Sequence, residues 1–244
     1  PLEGTSISAK GGENALSVLA IGEEGSFLHA PDIYMKKIAY GYKYEDLEIN
    51  IDDSPGKIIK EFSNFSKIRE ENIVVCILDR PRHEELIKQV RSTGARIKLI
   101  PDGDVSAVIA TSIDESGIDI YMGVGGSPEG VLAAAALRCL GGKIYTKLIY
   151  EDEKSFQRAK KMGVNDRNQV LNSCYEFLDL EKLNNIPELQ SNKTKKIIFP
   201  NIYHFLRKSI SGKMKYTQCV KIILPKFFRI KIKSHIKNSL VNWK

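Results

Sequence analysis

The sequence predicts an α/β protein, in which helices cover the faces of a β-sheet. Three observations support this fold class. From residue 72 onward, short apolar runs of strand length alternate with segments of helical periodicity. One run, NIVVCIL, is almost continuously apolar, as expected of a strand covered on both faces. Two predicted helices are followed by a glycine, Gly94 or Gly141, and glycine readily closes a helix in the left-handed conformation.

Each element after residue 72 follows from its apolar pattern and its flanking residues. NIVVCIL is the first strand, and a helix over 82–92 follows it, with apolar residues at Leu86, Ile87 and Val90. The remaining elements alternate in the same way. They are, in order, strand ARIKLI, turn PDGD, helix VSAVIATS, strand IDIYMGV, loop GGSPEG, helix VLAAAALRCL, strand KLIY and a helix near 153–162.

The residues ahead of this region have a β pattern. Over 14–40, ALSVLAI and SFLHAP are predicted to form an antiparallel pair around a Glu-Glu-Gly turn, and MKKIAY is predicted as a third strand. Farther along, Asp53-Ser54-Pro55 predicts the start of a helix, because serine caps helices well and proline fits their first turn.

Composition excludes several classes of protein. The 244 residues are 42% hydrophobic and 27% charged, which is ordinary for a globular protein. No run approaches the ~20 apolar residues of a membrane span, and no secretory signal is evident. The four cysteines form no CxxC pair and the four histidines have no metal-binding spacing, so we expect neither zinc nor disulfides. We expect a cytoplasmic protein, or a plastid protein if a leader precedes residue 1.

The positive charge is concentrated in a C-terminal tail. From Gln190 to the end there are fourteen Lys and Arg residues and no acidic residue, whereas the preceding region is mildly acidic. Two interpretations remain open. The tail, especially KIILPKFFRIKIKSHIKN, is either a basic module for nucleic acid or anionic lipid, or sequence translated past a frameshift or an unspliced boundary. A/T-rich codons encode its Lys, Asn, Ile, Tyr and Phe, and we expect it to be poorly ordered.

Three loops follow the predicted parallel strands, and ligands of α/β sheets bind at such loops. They are DRPRH, DGD and GGSPEG. Arginine forks suit phosphate oxygens, short carboxylates suit sugar hydroxyls, and the helix start behind the glycines suits an anion. We therefore expect Arg80, Arg82, Asp102, Asp104 and Glu129 to surround one cleft that binds a phosphorylated, hydroxylated substrate, with Glu129 on a divalent cation.

Each loop also has a purely structural interpretation. Arg80 and Arg82 are either substrate ligands or solvated surface charges, and Asp104 is either a ligand or the cap of a helix. GGSPEG matches neither the dinucleotide fingerprint nor the P-loop. Glu3-Gly4-Thr5 is either a simple turn or a site that offers a carboxylate to a metal and N–H groups to a phosphate.

Six motifs in order resemble the class II fructose-1,6-bisphosphatases, including members that also hydrolyse sedoheptulose 1,7-bisphosphate. They are PLEGT, APDIYMKK, DRPRHEELI, LIPDGDVSA, GVGGSPEGVLAAAALRCLGG and KKMGV. The resemblance covers residues 1–171. It implies the layered α/β fold of the lithium-sensitive sugar phosphatases, hydrolysis of fructose 1,6-bisphosphate in carbohydrate metabolism, and dependence on Mn²⁺ or Mg²⁺.

The resemblance also implies residue roles. Glu3 and Glu129 would bind the metal and, with Thr5, act in catalysis, while Glu3, Gly4 and Thr5 would hold the phosphate that is cleaved. The other phosphate would be held by Tyr34, Arg80, Pro81 and Arg82, and the sugar by Asp102, Gly103, Asp104 and Gly126. The expected partner is a small sugar bisphosphate. We expect no membrane or nucleic-acid partner, and a homo-oligomer for the intact protein.

The chain departs from the family pattern at both ends. Further metal-binding carboxylates would lie ahead of Pro1, and the match stops near Leu171. The implied division is 1–72 as the remainder of a metal and phosphate subdomain, 73–175 as a sugar-binding subdomain and 176–244 as the basic tail. We expect this chain to bind the bisphosphate weakly and to hydrolyse it negligibly. The alternative function is an inactive sugar-phosphate-binding or interaction protein with a basic tail.

Overall fold

The computed structural model describes residues 2–12, 15–18, 20 and 27–172, with only the main chain of residues 2 and 3. A six-stranded sheet contains β3 (Tyr34–Tyr40), β4 (Val74–Leu78), β5 (Arg96–Ile100), β6 (Ile120–Gly126), β7 (Lys143–Leu148) and β8 (Val170–Asn172). A separate antiparallel pair contains β1 (Leu2–Glu3) and β2 (Leu16–Ser17). The helices are α1 (Thr5–Ala9), α2 (Pro55–Ser66), α3 (Glu84–Ser92), α4 (Asp104–Ala110), α5 (Ser127–Leu140) and α6 (Glu153–Lys161).

The six-stranded sheet is mixed, with the spatial order β5-β4-β6-β3-β7-β8. β4 is parallel to both β5 and β6, so these three strands end at the same edge of the sheet. β3 is antiparallel to β6 and β7, and its first residue, Tyr34, lies opposite Gly126. We call this edge, where β4, β5 and β6 end and β3 begins, the loop edge.

Helices cover both faces of the sheet and enclose two apolar clusters. α4 and α5 pack on one face, and α2 and α3 pack on the other. β3 contributes to both clusters in alternation, with Met35 and Ala39 in the first and Ile38 and Tyr40 in the second. This period of two is that of a strand buried on both faces. The alternation places Lys37 on the α4 and α5 face, inside the protein.

The predicted α/β fold class is confirmed, as is the order of the strands and helices predicted after residue 72. The last predicted strand, KLIY, overlaps only the end of β7, which begins at Lys143, and β8 was not predicted. The other main differences are at helix starts. α5 begins at Ser127, four residues earlier than predicted, because Pro128 fits its first turn. α4 begins at Asp104, behind the left-handed Gly103. The predicted start of α2 is also confirmed, since the Ser54 hydroxyl accepts a hydrogen bond from the main-chain N–H of Lys57.

Within the described residues, Leu16–Ser17 pairs with Leu2–Glu3, a pairing that was not predicted. The Glu-Glu-Gly turn and the end of ALSVLAI lie outside the described residues, so the antiparallel pair predicted around that turn stays a prediction. The strand predicted at MKKIAY is confirmed as β3, but it lies in the middle of the large sheet, between β6 and β7. Alternation of apolar residues indicates a strand, but its partner is chosen by contacts that are distant in sequence.

The division at residue 72 stays a prediction, and the basic tail over 176–244 lies outside the described residues. Within the described ranges, no helix is long and apolar enough to cross a membrane.

Candidate functional site

Two consecutive residues, Arg82 and His83, hold the main chain of β6 at the loop edge. His83 Nε2 accepts a hydrogen bond from the Val124 N–H at 2.8 Å, and Arg82 Nε donates to the Val124 carbonyl at 2.9 Å. The other ring nitrogen of His83, Nδ1, donates to the Leu78 carbonyl at the end of β4 at 2.8 Å. The Arg82 guanidinium also lies over the Tyr34 ring, 5.0 Å from its centroid. Arg82 is thus fixed at the loop edge by β6 and β3.

A buried ion pair lies beneath the same edge. Lys37 of β3 is 0% exposed, and its Nζ lies 2.5 Å from Oδ2 of Asp104, the first residue of α4. Asp104 is itself 6% exposed. The second carboxylate oxygen of Asp104 has no hydrogen-bond partner among the described residues. Gly103 occupies the N-cap position of α4 and no side chain caps this helix, so Asp104 binds Lys37 and does not cap α4.

The glycines of β6 leave room for these side chains. A Cβ atom at Gly125 would overlap Oδ2 of Asp104 and lie 3.1 Å from Nζ of Lys37. A Cβ atom at Gly126 would overlap the end of the Glu129 carboxylate. Three consecutive residues of β6 therefore each lie against one predicted site residue. Val124 contacts Arg82, Gly125 contacts Asp104, and Gly126 contacts Glu129. Glycine is needed at Gly125 because a buried ion pair approaches the main chain closely.

Two alanine substitutions test this close approach. We expect Gly125→Ala to destabilise the protein by about 1–3 kcal/mol, because the added methyl would displace a buried ion pair. The matched control is Gly126→Ala, whose methyl meets only the mobile end of half-exposed Glu129. We expect it to change stability by no more than about 0.5 kcal/mol. Neither glycine has a positive φ, so backbone strain does not separate them. Urea unfolding measures both, and equal losses would contradict the prediction.

Asp102 fastens the short helix α1 to the loop edge. Its Oδ2 accepts from the Ser6 N–H at 3.0 Å, and its Oδ1 accepts from the Gly103 N–H at 3.1 Å. Arg80 Nη2 lies 3.6 Å from the same carboxylate and donates to the Ser6 hydroxyl at 3.3 Å. This network brings the start of α1, where Thr5 lies exposed behind the left-handed Gly4, to the loop edge.

The structure thus brings most of the predicted site residues to one edge. Arg82 precedes α3 on one face of the sheet, and Asp104 begins α4 on the other face. Both residues contact the end of β6. Tyr34 lies beside Arg82, and Pro81 is exposed in the turn between β4 and Arg82. The side chain of Glu3 lies outside the described residues. The binding roles of all these residues stay predictions.

Two residues at this edge were not predicted from the sequence. The sequence could have indicated the role of Lys37, because a lysine at an inward-facing position of an apolar strand needs a buried partner. His83 is part of DRPRH, but the sequence pattern did not assign it a role. Its ring is 1% exposed, and burial lowers its pKa, as do the positive charges of Arg82 and Arg80. The neutral ring is the form that both of its hydrogen bonds require.

A divalent cation needs more ligands than the described residues offer. Glu129 lies in the first turn of α5, and no hydrogen bond or ion pair joins its carboxylate to another described residue. Across the residues that the structure describes, no three His, Cys, Asp or Glu side chains lie together as metal ligands. One carboxylate fits one position of a hard cation and does not make a site.

Comparison with known proteins relates this geometry to a family. The family model described as bacterial fructose-1,6-bisphosphatase, glpX-encoded, matches residues 1–182. A Synechocystis protein named D-fructose 1,6-bisphosphatase class 2/sedoheptulose 1,7-bisphosphatase is 41% identical over 189 residues, covering 72% of this chain and 54% of the relative. A Microcystis aeruginosa protein of the same name is 44% identical over 189 residues, with the same coverage.

A third protein of that name, from Synechococcus sp. (strain JA-2-3B'a(2-13)), is 45% identical over 182 residues, which are 70% of this chain and 52% of the relative. The chain spans about half the length of the curated relatives it matches. The six motifs and the α/β fold agree with this match. Because the family model matches well over half of its residues, the chain belongs to the bacterial, glpX-encoded fructose-1,6-bisphosphatase family.

Proposed function

We propose that this protein acts in the hydrolysis of fructose 1,6-bisphosphate to fructose 6-phosphate and phosphate, and that sedoheptulose 1,7-bisphosphate is a second substrate. Membership of the family supports the reaction class. The observation that carries the proposal for this chain is the convergence of Arg82, Asp104 and Glu129 on three consecutive residues of β6. At one edge of the sheet, Arg82 offers a guanidinium, and Asp104 offers an oxygen that can accept a hydrogen bond from a hydroxyl. Glu129 offers a second carboxylate.

In this proposal the described residues hold the part of the substrate that does not react. The guanidinium of Arg82 uses Nε for Val124, which leaves its outer nitrogens for phosphate oxygens. Arg80 and Tyr34 border the same phosphate. The second oxygen of Asp104 accepts a hydrogen bond from a sugar hydroxyl, while Lys37 balances the charge of the carboxylate. Gly103 and Gly126 allow the sugar to approach the main chain.

The reacting phosphate would lie at the start of α1, beside Gly4 and Thr5. Asp102 holds this helix start in place through the Ser6 N–H, so we propose that its role is partly to orient Thr5. Bisphosphatases of this family use divalent cations, and we propose Mn²⁺ or Mg²⁺ as the ion. Glu3 and Glu129 would be two of its ligands, because hard cations select carboxylate oxygens. When bound, such an ion would polarise the phosphoryl group.

Removal of Arg82 should weaken substrate binding more than removal of Glu129. We expect Arg82→Ala to weaken binding of fructose 1,6-bisphosphate by this chain about tenfold or more, because a charge-assisted hydrogen bond contributes about 1.5–3 kcal/mol. Glu129→Ala should cost less binding than Arg82→Ala. Without its cation the Glu129 carboxylate repels a phosphate, so its removal takes away no attraction. Titration calorimetry measures both variants, with and without Mn²⁺, and phosphate release is measured in parallel.

The matched control is Arg91→Ala, which removes an exposed arginine at the far end of α3. This variant should bind as the parent chain does. A larger loss from Glu129→Ala than from Arg82→Ala would contradict the proposed division between phosphate holding and metal binding. Absence of any binding by the parent chain would contradict the proposed role of the loop edge.

A further inference from the structure

β4 and β6 separate before they reach the loop edge. They pair as parallel neighbours at Val75 with Ile120 and at Cys76 with Tyr121. Beyond these pairs β4 continues to Leu78 and β6 to Gly126 without further pairing between them in the described structure. The gap is occupied by the ring of His83, which is almost completely buried.

The His83 ring replaces the missing strand pairing with two hydrogen bonds. The Leu78 carbonyl can only accept, so Nδ1 carries the proton, and the Val124 N–H can only donate, so Nε2 is the acceptor. The partners on both sides therefore fix one tautomer and the ring orientation. A ring held in this way sets the distance between the ends of β4 and β6.

The same residue of β6 also orients Arg82. The Val124 N–H is held by His83, and the Val124 carbonyl is held by Arg82 Nε at 2.9 Å. Release of the N–H would let the end of β6 shift and would move the carbonyl to which Arg82 is bound. Tyr34 contacts the guanidinium on another side, at 5.0 Å. Arginine side chains are flexible, so fixing one before binding reduces the entropy that an anion must overcome.

We propose that His83 is a positioning residue, which holds the end of β6 so that Arg82 is presented to an incoming phosphate dianion. Only the identity of the anion rests on the proposed function. The placement of Arg82 by His83 rests on the three hydrogen bonds alone. His83 does not contact the substrate in this proposal.

The first test observes Arg82 directly by NMR of the chain. In the parent chain, the Nε–H signal of Arg82 should be protected from solvent exchange, because it is bound to the Val124 carbonyl. In His83→Phe, which keeps a ring but cannot form either hydrogen bond, this protection should be lost. In His83→Gln, which retains an acceptor for the Val124 N–H, most of the protection should remain. If protection in His83→Phe equals that of the parent, or if His83→Gln loses it, the proposal is wrong.

The second test is a double-mutant cycle on binding of inorganic sulfate, which keeps its double charge across the pH range in which phosphate titrates. His83→Phe should weaken sulfate binding several-fold in the parent chain and should have no further effect in the Arg82→Ala background. Independent losses that simply add would show that His83 does not act through Arg82. His29→Phe, which replaces an exposed histidine, is the control and should leave binding and the Arg82 signal unchanged.

The two proposals fail in different ways. If the parent chain binds sulfate but not fructose 1,6-bisphosphate, while the Arg82 signal and sulfate binding depend on His83, the proposed function is wrong and the positioning role stands. If both anions bind but the Arg82 signal is independent of His83, the positioning role is wrong.

Discussion

Lys37→Met should destabilise the protein by about 3–5 kcal/mol, because it leaves the buried carboxylate of Asp104 without its partner. Methionine has a similar length and fills the space of the lysine stem, so most of this loss comes from the unpaired charge. The position is also tightly enclosed, since a Cβ atom at Gly130 would lie 3.3 Å from Cε of Lys37. Unfolding in urea, followed by circular dichroism, measures the loss.

Two further variants separate the charge from the packing. The double variant Lys37→Met/Asp104→Leu should recover most of the stability, because replacing both members of a buried ion pair by apolar residues is often neutral. Lys147→Met removes a lysine on the neighbouring strand, whose partner Asp52 is exposed, and should cost no more than about 1 kcal/mol. If Lys37→Met costs no more than Lys147→Met, the buried ion pair contributes no more to stability than the exposed one, and the prediction is wrong.

His83→Ala should also cost several kcal/mol. The substitution leaves the buried Leu78 carbonyl and the part-buried Val124 N–H without their partner, and a buried group left unpaired costs about 1–3 kcal/mol. A cavity between β4 and β6 adds to the loss. The control is His29→Ala at an exposed position, which should have almost no effect. The same unfolding measurement compares the two variants, and similar midpoints would contradict the bridging role of the ring.

The pH dependence of stability gives an independent measure of His83. Burial, together with Arg82 and Arg80, lowers its pKa in the folded protein below the ordinary value of 6.5. Between the two pKa values the unfolded chain binds a proton that the folded protein does not bind, so stability falls as the pH decreases below 6.5. This contribution is absent above 6.5, where both states are neutral. We expect His83→Ala to show a smaller loss than the parent between neutral and acidic pH, and equal losses would contradict the assignment.

Much of the fold could be predicted from the sequence because its signals are local. Apolar runs, proline at the start of α5 and the glycines after α3 and α5 each act within a few residues. The loops that follow β4, β5 and β6 were therefore identified correctly. The motifs in those loops were sufficient to indicate the family and its layered sugar-phosphatase fold. The arginines and carboxylates predicted from these loops, Arg80, Arg82, Asp102, Asp104 and Glu129, follow the ends of these parallel strands.

The partners of strands and side chains were decided only by the tertiary structure. Nothing near β3 in the sequence indicates that it pairs with β6 and β7, because those contacts join residues far apart along the chain. Lys37 and Asp104 pair across 67 positions of the sequence. A prediction from the residues next to Asp104 could suggest only a helix cap and not this distant partner. The bridge formed by His83 exists because β4 and β6 diverge at their ends. The sequence by itself determined which loops meet at the edge of the sheet, whereas their precise contacts depend on packing between distant segments.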